Sequence, residues 1–218
     1  AKVILAEDKS RFGGSLLTSE VTIGNQSGKE WAEKIISELK LMPNVIVKNR
    51  SQVFGYYDHN MLVMSERVSD HLPKTEKYIP KQRLWYIRAK EVIISSGSIE
   101  RPLVFGNNDT PGVMLSSAAK EYLKIYGVLV GKKPLVFTNN DSGYETAIEF
   151  KKNGVDPIVL DTRKDPNSEI IKEAKDLNIN IKFSYVVVAA KGYKKVKSAD
   201  IAKISEDKKN IRNIEKID

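Results

Sequence analysis

The chain has 218 residues, no cysteine and only His59 and His71 as imidazoles, so it can bury a core, while disulfides, thiolate metal sites and thiol nucleophiles are excluded. Its net charge of +8 comes from 36 Lys and Arg against 28 Asp and Glu, and the two signs interleave; a lysine-rich solvated surface is expected, not a nucleic-acid face. No apolar run nears the ~20 residues of a membrane span and no signal peptide opens the chain, so no membrane partner and a cytoplasmic location are expected.

Lys2-Val3-Ile4-Leu5-Ala6 reads as a short strand that ends in Glu7 and Asp8 and is followed by Gly13 and Gly14. In a dinucleotide-binding fold the second strand ends in an acid that accepts the ribose hydroxyls; Glu7 is the first choice for that role and Asp8 the second. The strand, glycine loop and helix that should stand before it are missing, so the chain reads as a piece of something longer. Ser27 and Glu30 form a capping box, and Trp31, Ile35 and Leu39 recur at helical spacing until Pro43. A brief strand at 45–47 leads to an antiparallel meander: 53–57 and 61–68 around the turn Asp58-His59-Asn60, then 83–89. Glu91-Val92-Ile93-Ile94-Ser95 reads as a buried strand ending in Ser96 and Gly97, where a small residue permits close approach to a ligand.

Residues 101–114 read as a crossing linker, after which Ser116 or Ser117 caps a helix with Ala119, Leu123 and Tyr126 on one face and Gly127 at its end. A βαβ unit follows: strand 134–138, the loop Asn139-Asn140-Asp141-Ser142-Gly143, helix 144–153 and strand 157–160, with Asp161 at its end. Its loop lacks the G-x-G-x-x-G glycines, because Thr138, Asn139 and Asn140 fill the early positions, so this nucleotide-binding fold is read as having lost its nucleotide. Helix 167–177, strand 179–183 and a hairpin of 185–190 with 195–204 come next, and the chain stops in a charged tail at 206–218 with no closing element. The order predicts an α/β fold of two Rossmann-like dinucleotide-binding domains in tandem, of the two-dinucleotide-binding flavoprotein type, with an antiparallel β-meander. The expected parts are 1–105, a partial dinucleotide domain with the meander; 106–186, a degenerate second Rossmann-like domain; and 187–218, a hairpin returning to the first domain and a truncated tail. His59 in a hairpin turn has no orienting partner in the sequence, so no catalytic residue and no metal ligand is assigned.

The run from Glu91 through Pro102-Leu103-Val104-Phe105, Asn107-Asn108-Asp109 and Pro111-Gly112-Val113-Met114 closely resembles the alpha subunit of heterotetrameric sarcosine oxidase. So do Phe12-Gly13-Gly14-Ser15-Leu16-Leu17, Phe54-Gly55-Tyr56-Tyr57-Asp58-His59-Asn60 and Val136-Phe137-Thr138-Asn139-Asn140-Asp141-Ser142. The resemblance implies a bacterial complex that oxidises the methyl group of sarcosine to give glycine and hydrogen peroxide, with the one-carbon unit passed to tetrahydrofolate. It implies a noncovalent NAD in this segment, with FAD, FMN and tetrahydrofolate in the rest of the complex and beta, gamma and delta subunits as partners. By the same resemblance Glu7, with Asp8 as its neighbour, is the ribose acid, Gly13 and Gly14 pass near the dinucleotide, Ser51 to Val53 reach the adenine, and Ser96 and Gly97 form the second glycine motif. Two other readings remain: an NAD(P)H-dependent FAD flavoprotein reductase, which needs a working second glycine loop, and the alpha subunit of a related secondary-amine dehydrogenase.

Overall fold

A computed structural model describes residues 1–207 and 210–218, in two units, Ala1–Gly97 and Ser98–Asp218. In the first, strand β1 (Val3–Ala6) leads through a 3₁₀ turn at Gly14–Leu17 and two short strands, β2 (Thr22–Ile23) and β3 (Gln26–Ser27), into helix α1 (Gly28–Leu41) and strand β4 (Val45–Lys48). β1 and β4 lie parallel, Val3 opposite Val45. α1 starts where the sequence says it should: Ser27 Oγ accepts the Glu30 N–H at 3.2 Å, and the Glu30 carboxylate accepts the Ser27 N–H at 3.0 Å. Two orphan amides are thereby satisfied.

Strands β5 (Ser51–Tyr57), β6 (Met61–Arg67) and β7 (Gln82–Arg88) form the predicted antiparallel meander. Its first turn places His59 and Asn60 in the left-handed region, where an asparagine is tolerated. Asn60 then ties the turn down, accepting from Tyr56 Oη at 2.8 Å and donating to the Lys90 carbonyl at 2.9 Å. The next stretch departs from expectation. Residues 91–95 form no strand, and Ile93 and Ile94 are 90% and 71% exposed. A strand exists through the ladder it shares with a neighbour, and this apolar run has no neighbour to pair with in the unit.

In the second unit, helix α2 (Ser116–Tyr126) precedes strand β8 (Leu135–Thr138), helix α3 (Ser142–Lys152), strand β9 (Ile158–Asp161), helix α4 (Glu169–Asp176) and strand β10 (Asn180–Phe183). The parallel sheet has the order β10-β9-β8. Val136, Val159, Tyr144, Ala147, Ile171 and Ala174 pack it against α3 and α4. A second sheet, β11 (Tyr185–Gly192), β12 (Val196–Ile204) and β13 (Ile211–Ile217), is antiparallel. Leu160, Val187, Ala199 and Ile201 form the core it shares with the parallel sheet, and Phe105 and Phe137 meet edge-to-face beside them at 6.0 Å. The unit thus takes in residues 106–186 and 187–218 together, and Phe105 is part of its core.

Three local features differ from those expected. The cap of α2 is Leu115, not a serine, and the amides of Ser116 and Ser117 donate to the Glu100 carboxylate at 3.1 and 2.7 Å. Tyr126 is 62% exposed and does not join Ala119 and Leu123 in the core. The stretch read as an unclosed charged tail holds β13, with positions 208 and 209 of that stretch outside the described residues.

Trp31 and Trp85, the chain's two tryptophans, both lie in Ala1–Gly97, so their fluorescence reports that unit alone. Urea unfolding followed that way is expected to show Ser27→Ala less stable by about 1 kcal/mol, the usual worth of an N-cap. An unchanged midpoint would show that α1 gains nothing from its cap.

Candidate functional site

β1 delivers Glu7 to the end of the first parallel sheet, where its N–H donates to the Lys48 carbonyl at 2.9 Å and its own carbonyl accepts the Ser51 N–H at 2.8 Å. The backbone around the carboxylate is therefore set by two strand ends. One carboxylate oxygen accepts the Lys9 N–H at 3.0 Å. Burial raises the Glu7 carboxyl above its ordinary value; the Lys9 bond opposes this, and the adjacent Asp8 adds to the rise. A carboxylate held this way gains from further O–H donors, which is what a ribose diol supplies.

The other sequence-assigned positions divide. Gly13 (φ 123°) and Gly14 (φ 50°) bend the chain after Asp8 as only glycine readily does; a Cβ on Gly13 would press on Leu17 and Ala32, whereas Gly14 has open space around it. Ser51 joins the Glu7 cluster, but its N–H goes to Glu7 and its hydroxyl donates to the Asn49 carbonyl at 2.9 Å, so neither is left to meet an adenine. Val53 sits on β5 beside a bulge, opposite Met64. Ser96 and Gly97 lie in the exposed stretch that failed to become a strand.

Sequence reasoning missed a second cluster in this unit. Glu66 on β6 accepts from Lys48 Nζ at 2.8 Å, Trp85 Nε1 at 2.7 Å and Arg83 Nη1 at 3.1 Å. Burial works to raise its carboxyl, and the Lys48 and Trp85 hydrogen bonds outweigh it, leaving the carboxyl below its usual range. This cluster ties β4 to the meander.

The loop after β8 is closed by its own side chains. Thr138 Oγ1 accepts the Asn140 N–H at 3.2 Å and donates to the Asn140 carbonyl at 2.8 Å, and Asn140 Oδ1 accepts the Ser142 N–H at 2.9 Å. The amides of Asn140 and Ser142, in the loop that a glycine-rich sequence would turn toward a pyrophosphate, are already used. A Cβ on Gly143 would come within 2.7 Å of Thr138 Cβ, so the threonine leaves no room for a side chain at 143. At the end of β9, Asp161 is fully buried, with Tyr144 Oη donating to it at 2.7 Å, the Arg163 N–H at 2.9 Å and Arg163 Nη2 at 2.8 Å. Burial, then the Asp161 contact, pushes the Tyr144 hydroxyl well above the ordinary tyrosine range. Arg163 Nη1 also pairs with Asp141 at 2.8 Å, which lowers the Asp141 carboxyl at the start of α3. Asp161, at the strand end where such folds place a ribose-binding acid, is thus committed to Tyr144 and Arg163. Among the described residues no cluster of three or more His, Cys, Asp or Glu is placed to hold a metal ion, and no helix is long and apolar enough to cross a membrane.

Two predictions follow from these carboxyls. Asp161→Ala leaves the buried Tyr144 hydroxyl without its acceptor while Arg163 keeps Asp141, and is expected to cost about 1–3 kcal/mol, read as faster hydrogen exchange of the α3 amides; unchanged exchange would show the network to be dispensable. Because the folded-state Glu7 carboxyl is raised, its contribution is greatest at acid pH and is lost as pH climbs through its titration. Glu7→Gln abolishes that loss, so its thermal midpoint relative to the parent should rise from acid to neutral pH. A gap that does not change with pH would contradict the assignment.

No protein-family model matches the chain. It is 43% identical over 164 residues to the sarcosine oxidase subunit alpha of Rhizobium meliloti, covering 75% of this chain and 17% of that relative. It is 35% identical over 165 residues to the same subunit of a Corynebacterium species, again with 75% of this chain and 17% of the relative covered. The chain thus spans about a sixth of the length of these curated relatives. Among solved structures, thioredoxin reductase of T. acidophilum superposes with a TM-score of 0.67 at 16% identity, over 99% of this chain and 66% of its own. L-proline dehydrogenase of P. horikoshii gives a TM-score of 0.58 at 19% identity, over 98% and 35%. The chain is a relative of one segment of the sarcosine oxidase alpha subunits and carries the Rossmann-type α/β fold of FAD- and NAD-dependent oxidoreductases.

Proposed function

We propose that the chain is the NAD-holding and scaffolding segment of an alpha subunit of sarcosine oxidase type, working in the cytoplasm with beta, gamma and delta subunits. The complex as a whole would oxidatively demethylate sarcosine to glycine and hydrogen peroxide, passing the one-carbon unit to tetrahydrofolate, with FAD, FMN and folate held outside this segment. The observation that carries the reading is Glu7: a carboxyl at the end of a parallel strand and raised by burial, followed in the chain by Gly14, which has open space around it.

The residues present fit the ribose end of NAD. Glu7 would accept the two ribose hydroxyls, Asp8 would add negative charge beside them, and Gly14 would leave room for the chain of the ligand. When bound, NAD supplies a hydride-accepting nicotinamide. Its phosphates need amides of a kind the sequence does not contain, since no G-x-G-x-x-G occurs in it. The first sheet also asks for more structure. Parallel strands are normally covered on both faces, yet Val3, Ile4 and Ile46 are exposed, and β1 pairs on one edge only. One further strand with its glycine loop and helix would pair with β1, cover those residues, give 91–95 a neighbour and turn Gly97 toward the phosphates.

The second unit is proposed as scaffold, because its loop amides, Asp161 and Arg163 are already committed to one another. That commitment counts against a free-standing NAD(P)H-dependent flavoprotein reductase. An alpha subunit of a related secondary-amine dehydrogenase has the same needs at this site, and comparing sarcosine with other secondary amines on the assembled protein separates the two.

Calorimetric titration of NAD tests the reading. Residues 1–218 alone are expected to bind weakly or not at all, and a chain extended by a glycine-loop strand and helix to bind. In that extended chain Glu7→Ala should weaken binding about tenfold or more, the loss of a charged acceptor worth roughly 1.5–3 kcal/mol. Equal binding by the short and extended chains would overturn the proposal.

A further inference from the structure

The Phe54-Gly55-Tyr56-Tyr57-Asp58-His59-Asn60 block builds one side of the meander, and the dinucleotide reading leaves it without a task. Strand alternation and register put Tyr57 on β5, Val63 on β6 and Leu84 and Tyr86 on β7 on one face, with Trp85 and Glu66 on the other. The Trp85 face turns inward, toward the Glu66 and Lys48 cluster. The opposite face is open: Tyr57, Leu84 and Tyr86 are 58%, 51% and 67% exposed, over a Val63 that is buried.

Tyr57 is held in place. A Cβ on Gly55 would lie 2.6 Å from Tyr57 Cε2, so the Tyr57 ring rests on the bare strand at Gly55, itself in register with Val63 and, across it, Tyr86. A tyrosine ring fixed before contact loses little freedom on binding, which is the character of an interface anchor. The charges are one-sided. Arg67 and Arg88 lie on this face at opposite ends of the sheet, opposite Gln82 and Met61, and no outward position of the three strands holds Asp or Glu.

We infer that this face docks a protein subunit whose own contact surface is apolar at its centre and rimmed by carboxylates. Charge decides between occupants. A second copy of the chain would set arginine against arginine in either orientation. Two arginines separated by the length of the sheet make no continuous track for a phosphate backbone. An apolar patch with a cationic rim is met by an apolar patch with an anionic one. The inference is independent of NAD binding.

Benzoylphenylalanine placed at Tyr86, and in a second preparation at Leu84, of the native protein tests it by irradiation of the complex isolated from its source cells. The expected product joins the chain to a different polypeptide, at an apolar segment flanked by Asp or Glu. Arg67→Glu with Arg88→Glu should then weaken retention of that polypeptide about tenfold or more without altering the circular dichroism. Lys34→Glu, an exposed position on α1, should leave retention unchanged. Cross-links to a second copy, to nucleic acid or only within the chain, or no cross-link from either position, would overturn the proposal.

Discussion

The buried carboxylate of Asp161 is the constraint from which the second unit's character follows. Removing a carboxylate from water costs several kcal/mol unless donors surround it, and here Tyr144 from α3 and three groups of Arg163 do so. Once Arg163 is held there its guanidinium also reaches Asp141, which fastens the start of α3 to the end of β9. Thr138 completes the closure from the other strand, using the loop's own amide and carbonyl. A fold whose strand ends usually form a crevice for a dinucleotide has its crevice filled with internal ion pairs.

The first unit shows the opposite balance. Glu7 is set by strand ends with one carboxylate oxygen on the Lys9 N–H, and Gly14 has open space around it. Its sheet is two strands wide, with valine and isoleucine side chains exposed where a parallel sheet would carry cover. What order the unit has comes from α1, with its reciprocal cap, and from the Glu66 cluster, where one carboxylate gathers Lys48, Arg83 and the Trp85 indole. Those contacts fix the meander's inner face, and so decide which aromatics are left on its outer face.

Features that act over a few residues were legible in the sequence. The capping box at Ser27 and Glu30 needs only three residues' separation, the Asp58-His59-Asn60 turn needs residues that tolerate a positive φ, and Gly127 ends α2 in the left-handed conformation. Thr138 at an early loop position bonds within the loop itself, a contact that needs only two residues' separation. Glu7 could be found because strand and acid adjoin.

What no window of the sequence contains is a partner from elsewhere in the chain. Glu100 caps α2 from sixteen residues upstream. Glu66 meets Trp85 across nineteen residues. β13 escaped notice because Asn213 takes a positive φ at a bulge, which breaks the alternation of Ile211, Ile214 and Ile217, and because its ladder to β12 is made by backbone groups common to every sequence. The converse holds for 91–95, whose β-branched run has the propensity for a strand but no ladder to join. By itself the sequence determined the cap of α1, the turns and the strand-end acid, since these depend on side chains close in the chain. Only the tertiary structure decided that β13 pairs with β12, that 91–95 pairs with nothing in its unit and which carboxyls meet cations, because hydrogen bonds and ion pairs at long separation depend on where the fold brings their partners.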